Sequence, residues 1–228
     1  MKKYNIKIIV EGNEEKAFFE IVETVGKDDI FFLDIENAKG SGGIPDAFLI
    51  ALRENELYDC IVCVYDVDNR INDIHSPYNL IRTRLNSLFG DDKITDYVSF
   101  CTNPNILQLF LLAADSLKNV SLTSTSKSEN TSLVHKYWPK IASGKKDNLG
   151  RNIKPDYDGR LWQLDIMKYS IINGDYNYKN LLNNLEELPI DYKNNIPASN
   201  IFPLLKALKN GDSYYFLKIK KEIEKTVS

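Results

Sequence analysis

Two apolar runs in this chain each end in acid. Ile6 to Val10 leads into Glu11-Gly12-Asn13-Glu14-Glu15, and Cys60 to Tyr65 leads into Asp66-Val67-Asp68. Residues two apart in an extended chain point the same way, so Asp66 and Asp68 can reach one ion. Glu11 closes the first run, and Glu15 falls one turn into a helix that follows, so these two can face one cleft. Crowded carboxylates repel one another unless a cation offsets them. Mg²⁺ or Mn²⁺, hard ions that prefer oxygen ligands, would do so. Two such ions can hold both the attacking and the leaving oxygen of a phosphodiester. Glu11, Glu15, Asp66 and Asp68 are therefore the expected metal ligands and catalytic residues.

The first 120 residues supply elements that would bring these acids together. Apolar residues at Ala17, Phe18, Ile21, Val22 and Val25 give helical spacing from Asn13 to Val25. Ile30 to Ile35 reads as a strand, Ile44 to Leu57 as a helix with Pro45 in its first turn, and Cys60 to Tyr65 as a strand covered on both faces. A helix from Tyr78 to Phe89, a strand from Tyr97 to Cys101 and an apolar helix from Ile106 to Leu117 complete the series. Repeated βα units imply an α/β fold with a mostly parallel sheet flanked by helices. Chemistry in such sheets collects at the carboxyl ends of the strands, where both acid sets lie.

The pattern changes beyond residue 120. Residues 121–132, SLTSTSKSENTS, read as a surface loop. Helices are expected near Glu129–Ile141, Leu161–Ile172, Tyr178–Leu188, Pro203–Leu208 and Ser213–Thr226. The chain thus divides into an α/β catalytic part, residues 1–120, and a mainly helical extension, residues 121–228. Charge divides it the same way. Residues 1–120 carry 12 Lys+Arg against 20 Asp+Glu, and residues 121–228 carry 17 against 12. An acidic half suits metal and a basic half suits phosphate. Lys136, Lys140, Lys145, Lys146 and Arg151, interleaved with Tyr137, Trp138 and Tyr157, form a nucleic-acid-binding composition. Lys127, with Lys136 as its competitor, is the candidate for the cation that stabilises a developing phosphate charge.

The strings IIVEGNEE and VYDVDNR resemble the TOPRIM domain, the catalytic fold shared by topoisomerases, bacterial primases and the OLD nucleases. The resemblance spans about residues 5–118. It implies that Glu11, Asp66 and Asp68 bind divalent metal, and that Glu15 does so as in the OLD-like branch. Thr102-Asn103-Pro104 resembles a segment of the RloB/AbiL-like TOPRIM proteins found with phage-abortive systems. In those proteins a glutamate follows the Asn-Pro; here Ile106, Leu107 and Gln108 stand in that stretch, leaving Asp115 as a possible substitute. The resemblance implies a metal-dependent endonuclease, cutting DNA or tRNA as an effector of anti-phage defence. It also implies control by a partner ATPase of the ABC or SMC type, since the chain has no ATPase motif of its own. A TOPRIM subunit that binds without cutting is the alternative. Open sheet edges leave room for a homodimer.

Several other chemistries are excluded. Cys60, Cys63 and Cys101 are too few for a disulfide framework, and with two histidines they are too few for zinc sites. His75 follows the Asp66-Val67-Asp68 turn and could approach the cleft, whereas His135 reads as structural; neither sits in a hydrolase triad pattern. Lys39-Gly40-Ser41-Gly42-Gly43 lacks the spacing of a nucleotide-binding P-loop and is expected instead to form a backbone wall beside the metal site. No apolar run is long enough for a membrane span, and Glu11 interrupts the N-terminal one too early for a signal peptide. A cytoplasmic, membrane-free protein is expected.

Overall fold

Strand β1, Tyr4–Val10, carries apolar residues on both faces of a central strand, and Ile6, Ile8, Ile9 and Val10 are all buried. In the computed structural model it lies in the middle of a four-stranded sheet of order β2-β1-β3-β4, with β2 at Phe31–Asn37, β3 at Cys60–Asp66 and β4 at Ser99–Thr102. All three pairings are parallel. The structure describes residues 2–67, 75–90, 93–102, 106, 107, 109, 164, 168, 171, 172 and 201–227. The α/β class with a parallel, helix-flanked sheet is as the sequence predicts.

Helix α1, Asn13–Ile21, continues as a π-turn over Val22–Gly26, where the sequence predicts a regular helix to Val25. Here the Glu23 carboxylate accepts the backbone N–H of Leu33 at 2.9 Å, tying the turn to β2. Helix α2, Ile44–Arg53, ends four residues before the expected Leu57 and hands over to a short 3₁₀ turn at Asn55–Leu57. Helix α3, Pro77–Phe89, is capped by the Ser76 hydroxyl, which accepts from the Asn79 N–H at 3.2 Å. Gly90 ends it with φ of 63°.

A short helix α4, Ile94–Val98, stands where the sequence suggests the beginning of a strand. Its β-rich composition misleads, because Ile94 and Val98, four residues apart, are buried together and Arg82 pairs with Asp96 at 2.7 Å. Helices α5, Ile201–Asn210, and α6, Ser213–Val227, extend the expected elements by a residue or two at their ends. α6 reaches the sheet through Phe216, whose ring packs edge-on against Phe31 at 5.0 Å. Residues 164, 168, 171 and 172 are helical, in line with the helix expected there. The helices expected at 129–141 and 178–188 lie outside the described residues.

The core holds Phe18, Phe19, Phe31, Phe48 and Phe216 around the sheet, each such ring contributing about 1.5–3 kcal/mol by burial. Cys60, Cys63 and Cys101 are buried as thiols, and burial raises their pKa, so they behave as apolar filler. Lys7 is the exception within β1. It is 8% exposed and its ammonium lies 2.9 Å from both Asp34 and Glu36 on β2. The register explains the pairing: Lys7 is directly opposite Asp34, and Glu36 is its diagonal neighbour.

Candidate metal centre

β1 and β3 are adjacent and parallel, so their carboxyl ends deliver acids to one place. The backbone ladder persists past both strands. The Glu11 N–H donates to the Val64 carbonyl at 3.1 Å, and the Val67 N–H donates to the Thr102 carbonyl at 2.9 Å. This fixes Glu11 and Asp66 side by side, and a Glu11 carboxylate oxygen accepts the Asp66 N–H at 3.2 Å. Asp66 is itself aimed from its far side. Its Oδ1 accepts the Thr102 hydroxyl at 2.6 Å and the Ile106 N–H at 2.8 Å. Asp66 and Thr102 face one another in the β3–β4 register, so the sheet sets this contact.

The first turn of α1 completes the centre. Glu15 Oε2 accepts the Gly12 N–H at 2.9 Å, which satisfies one of the open donors at the helix start. A Cβ at position 12 would come within 3.2 Å of that same oxygen, so glycine gives the carboxylate its room. Glu14, Glu15 and Asp66 are all buried, and each offers one carboxylate oxygen such that the three lie within 4.8 Å of one another. Burial pushes the Glu15 carboxyl up to about 7, and the Glu11 and Glu14 charges push the same way. Its own backbone N–H and a hydrogen bond with Asp66 offset part of the rise.

Three carboxylates with no nitrogen or sulfur donor suit a hard divalent ion. Opposite ligands of an octahedral Mg²⁺ stand roughly 4 Å apart, so one ion fits this spread after only a small adjustment. Of the expected ligands, Glu15 and Asp66 join Glu14 in this cluster, whereas Glu11 stands beside it with its carboxylate on the Asp66 N–H and is not one of the three. Asp68 lies outside the described residues, as do Lys127, Lys136, Lys140, Lys145, Lys146 and Arg151. Asn103, Pro104, Gln108, Asp115 and His135 also fall there. His75 is described and lines a groove between α2 and α3.

Glu14 is the member that the strand-end spacing does not pick out. The signal for it lies in the helix. Ala17, Phe18 and Ile21 follow it at the three-, four- and seven-residue steps of an apolar face, so an acid at position 14 starts that buried stripe. Among the described residues no helix is long and apolar enough to cross a membrane. No protein-family model, curated protein or solved structure matches this chain.

Proposed function

We propose that the protein is a divalent-metal-dependent nuclease of TOPRIM type that hydrolyses phosphodiester bonds in DNA or RNA. The observation that carries this reading is the convergence of Glu14, Glu15 and Asp66, buried at the carboxyl ends of two adjacent parallel strands, with one oxygen from each inside 4.8 Å. Burying three acids is costly, and the cost is offset when a cation shares them. The ExxxE and DxD spacing of Glu11, Glu15, Asp66 and Asp68 supports the same reading from the sequence.

In this reading Mg²⁺ or Mn²⁺ supplies an activated water and neutralises charge on the phosphate. Glu14, Glu15 and Asp66 would hold it, with Asp68 as a further ligand. Thr102 and the Ile106 N–H orient Asp66 by engaging Oδ1, which turns the carboxylate toward the acids of α1. Glu11 couples the two strand ends through the Asp66 N–H. Glu15, poised near neutral pH, can exchange its proton for a cation. The defence role, and control by a separate ATPase, belong to the same proposal.

The test is cleavage of plasmid DNA, single-stranded DNA and total tRNA by the purified chain with Mg²⁺ or Mn²⁺, beside Glu14→Gln, Glu15→Gln and Asp66→Asn. The assay is run with and without an ATPase encoded next to it. Metal-dependent cutting lost in all three variants supports the proposal. Binding of nucleic acid and metal with no turnover in any arm would reassign the protein as a binding subunit.

A further inference from the structure

A second feature opens at the same edge of the sheet. The segment leaving β2 and the helix that follows β3 enclose a groove of about 700 Å³, within the usual size range of ligand sites. One wall is Gly42 and Pro45, and the other is His75, Leu80, Arg84 and Ser87 on and before α3. Leu80 is a large apolar side chain left 53% exposed. Arg84 bridges the walls, bonding Asp46 at 2.6 Å and the Gly42 carbonyl at 3.3 Å.

The groove is tied to the acid centre by its backbone. The Gly40 N–H donates to the Glu11 carbonyl at 2.7 Å, and Gly40 leads directly into the wall at Ser41 and Gly42. Between β2 and Gly40 stands Lys39, which has φ of 60°, a left-handed conformation uncommon for a residue with a side chain. Its N–H donates to Asn37 Oδ1 at 2.7 Å. Lys39 is exposed, and among the described residues it makes no ion pair. Lys39 thus stands two residues before the groove wall, next to the Gly40 N–H that holds the Glu11 carbonyl, and Arg84, half-exposed and paired with Asp46, stands in the groove itself with the exposed Leu80.

We infer that this groove holds a single strand of nucleic acid on its way to the acid centre, with Arg84 in the groove and Lys39 at its approach against phosphates and Leu80 against a sugar or base. Alternating cations and apolar surface match the alternation of phosphate and nucleoside along one strand. The inference rests on the phosphodiesterase reading for its substrate class, but it can be tested by binding alone.

Fluorescence anisotropy with labelled mixed-sequence 12-nucleotide DNA and RNA strands, in Ca²⁺ at fixed low salt, measures it. Ser87→Glu places a negative charge on the exposed α3 wall and should weaken binding at least ~10-fold, whereas Ser87→Lys should tighten it. Lys39→Gly should weaken binding several-fold and lower the salt slope by about one. The same variant should keep or raise the melting temperature, because glycine relieves the left-handed backbone. Lys221→Glu, an exposed charge reversal on α6, should leave binding within about twofold. Equal losses in Ser87→Glu and Lys221→Glu would overturn the inference, as would failure of the wild type to bind either strand. A parallel Mn²⁺ titration by EPR separates the two readings. Groove effects that persist without Mn²⁺ binding would leave this site standing and remove the metal centre.

Discussion

The Thr102 hydroxyl donates to Asp66 Oδ1 at 2.6 Å, and the two residues are also register partners at the ends of β3 and β4. A strand pairing thus fixes the direction of a buried acid. Replacing Thr102 by valine keeps the β-branched shape and removes the donor. The variant should bind Mn²⁺ about 10-fold more weakly, the usual scale for losing a partner that orients a metal ligand. Folding stability should fall by about 1–2 kcal/mol. EPR titration and urea unfolding would measure the two effects, and unchanged Mn²⁺ affinity would remove Thr102 from the site.

Glu15 gives a pH signature. Its carboxyl stands at about 7 in the folded protein, against an ordinary 4.5. An acid raised on folding binds its proton more tightly in the native state, so the stability that Glu15 contributes is full below pH 4.5 and is lost as pH rises through about 7. The Glu15 contribution to this decline is on the order of 3 kcal/mol, and Glu15→Gln should abolish it. Mg²⁺ or Mn²⁺ should restore stability to the wild type above pH 7 and lose that effect as protons displace the ion. A melting series from pH 5 to 8.5, with and without metal, would show whether the slope belongs to Glu15.

The apolar runs made the sheet legible before any coordinates. CIVCVY could only be a strand covered on both faces, and it is central and fully buried. Glu15 and Asp66 were legible because acids at strand ends have few reasons to cluster in a parallel sheet, while Glu11, read from the same spacing, lies beside the cluster and not in it. Glu14 was not, since the strand-end pattern says nothing about which face of the next helix is buried. Helix α4 was hidden by its β-rich composition, because burial of Ile94 and Val98 overrides propensity over so short a stretch. Lys7 lies inside the apolar run Ile6–Val10, and what accommodates it, Asp34 and Glu36 in register on β2, is fixed only by the strand pairing.

That register makes Lys7 a structural test. Lys7→Met preserves the length of the side chain but leaves Asp34 and Glu36 facing one another without their cation. Both carboxylates are more than a third exposed, so solvent softens the loss to about 1–3 kcal/mol. Metal affinity should be unchanged. A loss of stability alone, read by urea unfolding, would place Lys7 in the scaffold and outside the acid centre.

Gly43 should tolerate nothing larger. A Cβ there would lie 2.1 Å from the Ala38 carbonyl oxygen, a backbone atom that cannot step aside. Gly43→Ala should therefore open the turn between β2 and α2 at a cost of about 2 kcal/mol or more, within the range for strained or overpacked sites. Gly42→Ala meets nothing within 4 Å and is the control. Comparable melting temperatures for the two variants would contradict this account of the turn.

The central claim is that Glu14, Glu15 and Asp66 form one metal centre that cuts phosphodiesters. The most direct test is Mn²⁺-dependent cleavage of plasmid, single-stranded DNA and tRNA by wild type, Glu14→Gln, Glu15→Gln and Asp66→Asn at pH 8, with any neighbouring ATPase present. The account predicts cleavage by the wild type and a loss of at least ~100-fold in each variant, with the folds intact by circular dichroism. Full activity in Glu14→Gln and Asp66→Asn, or no Mn²⁺ binding by the wild type, would contradict it.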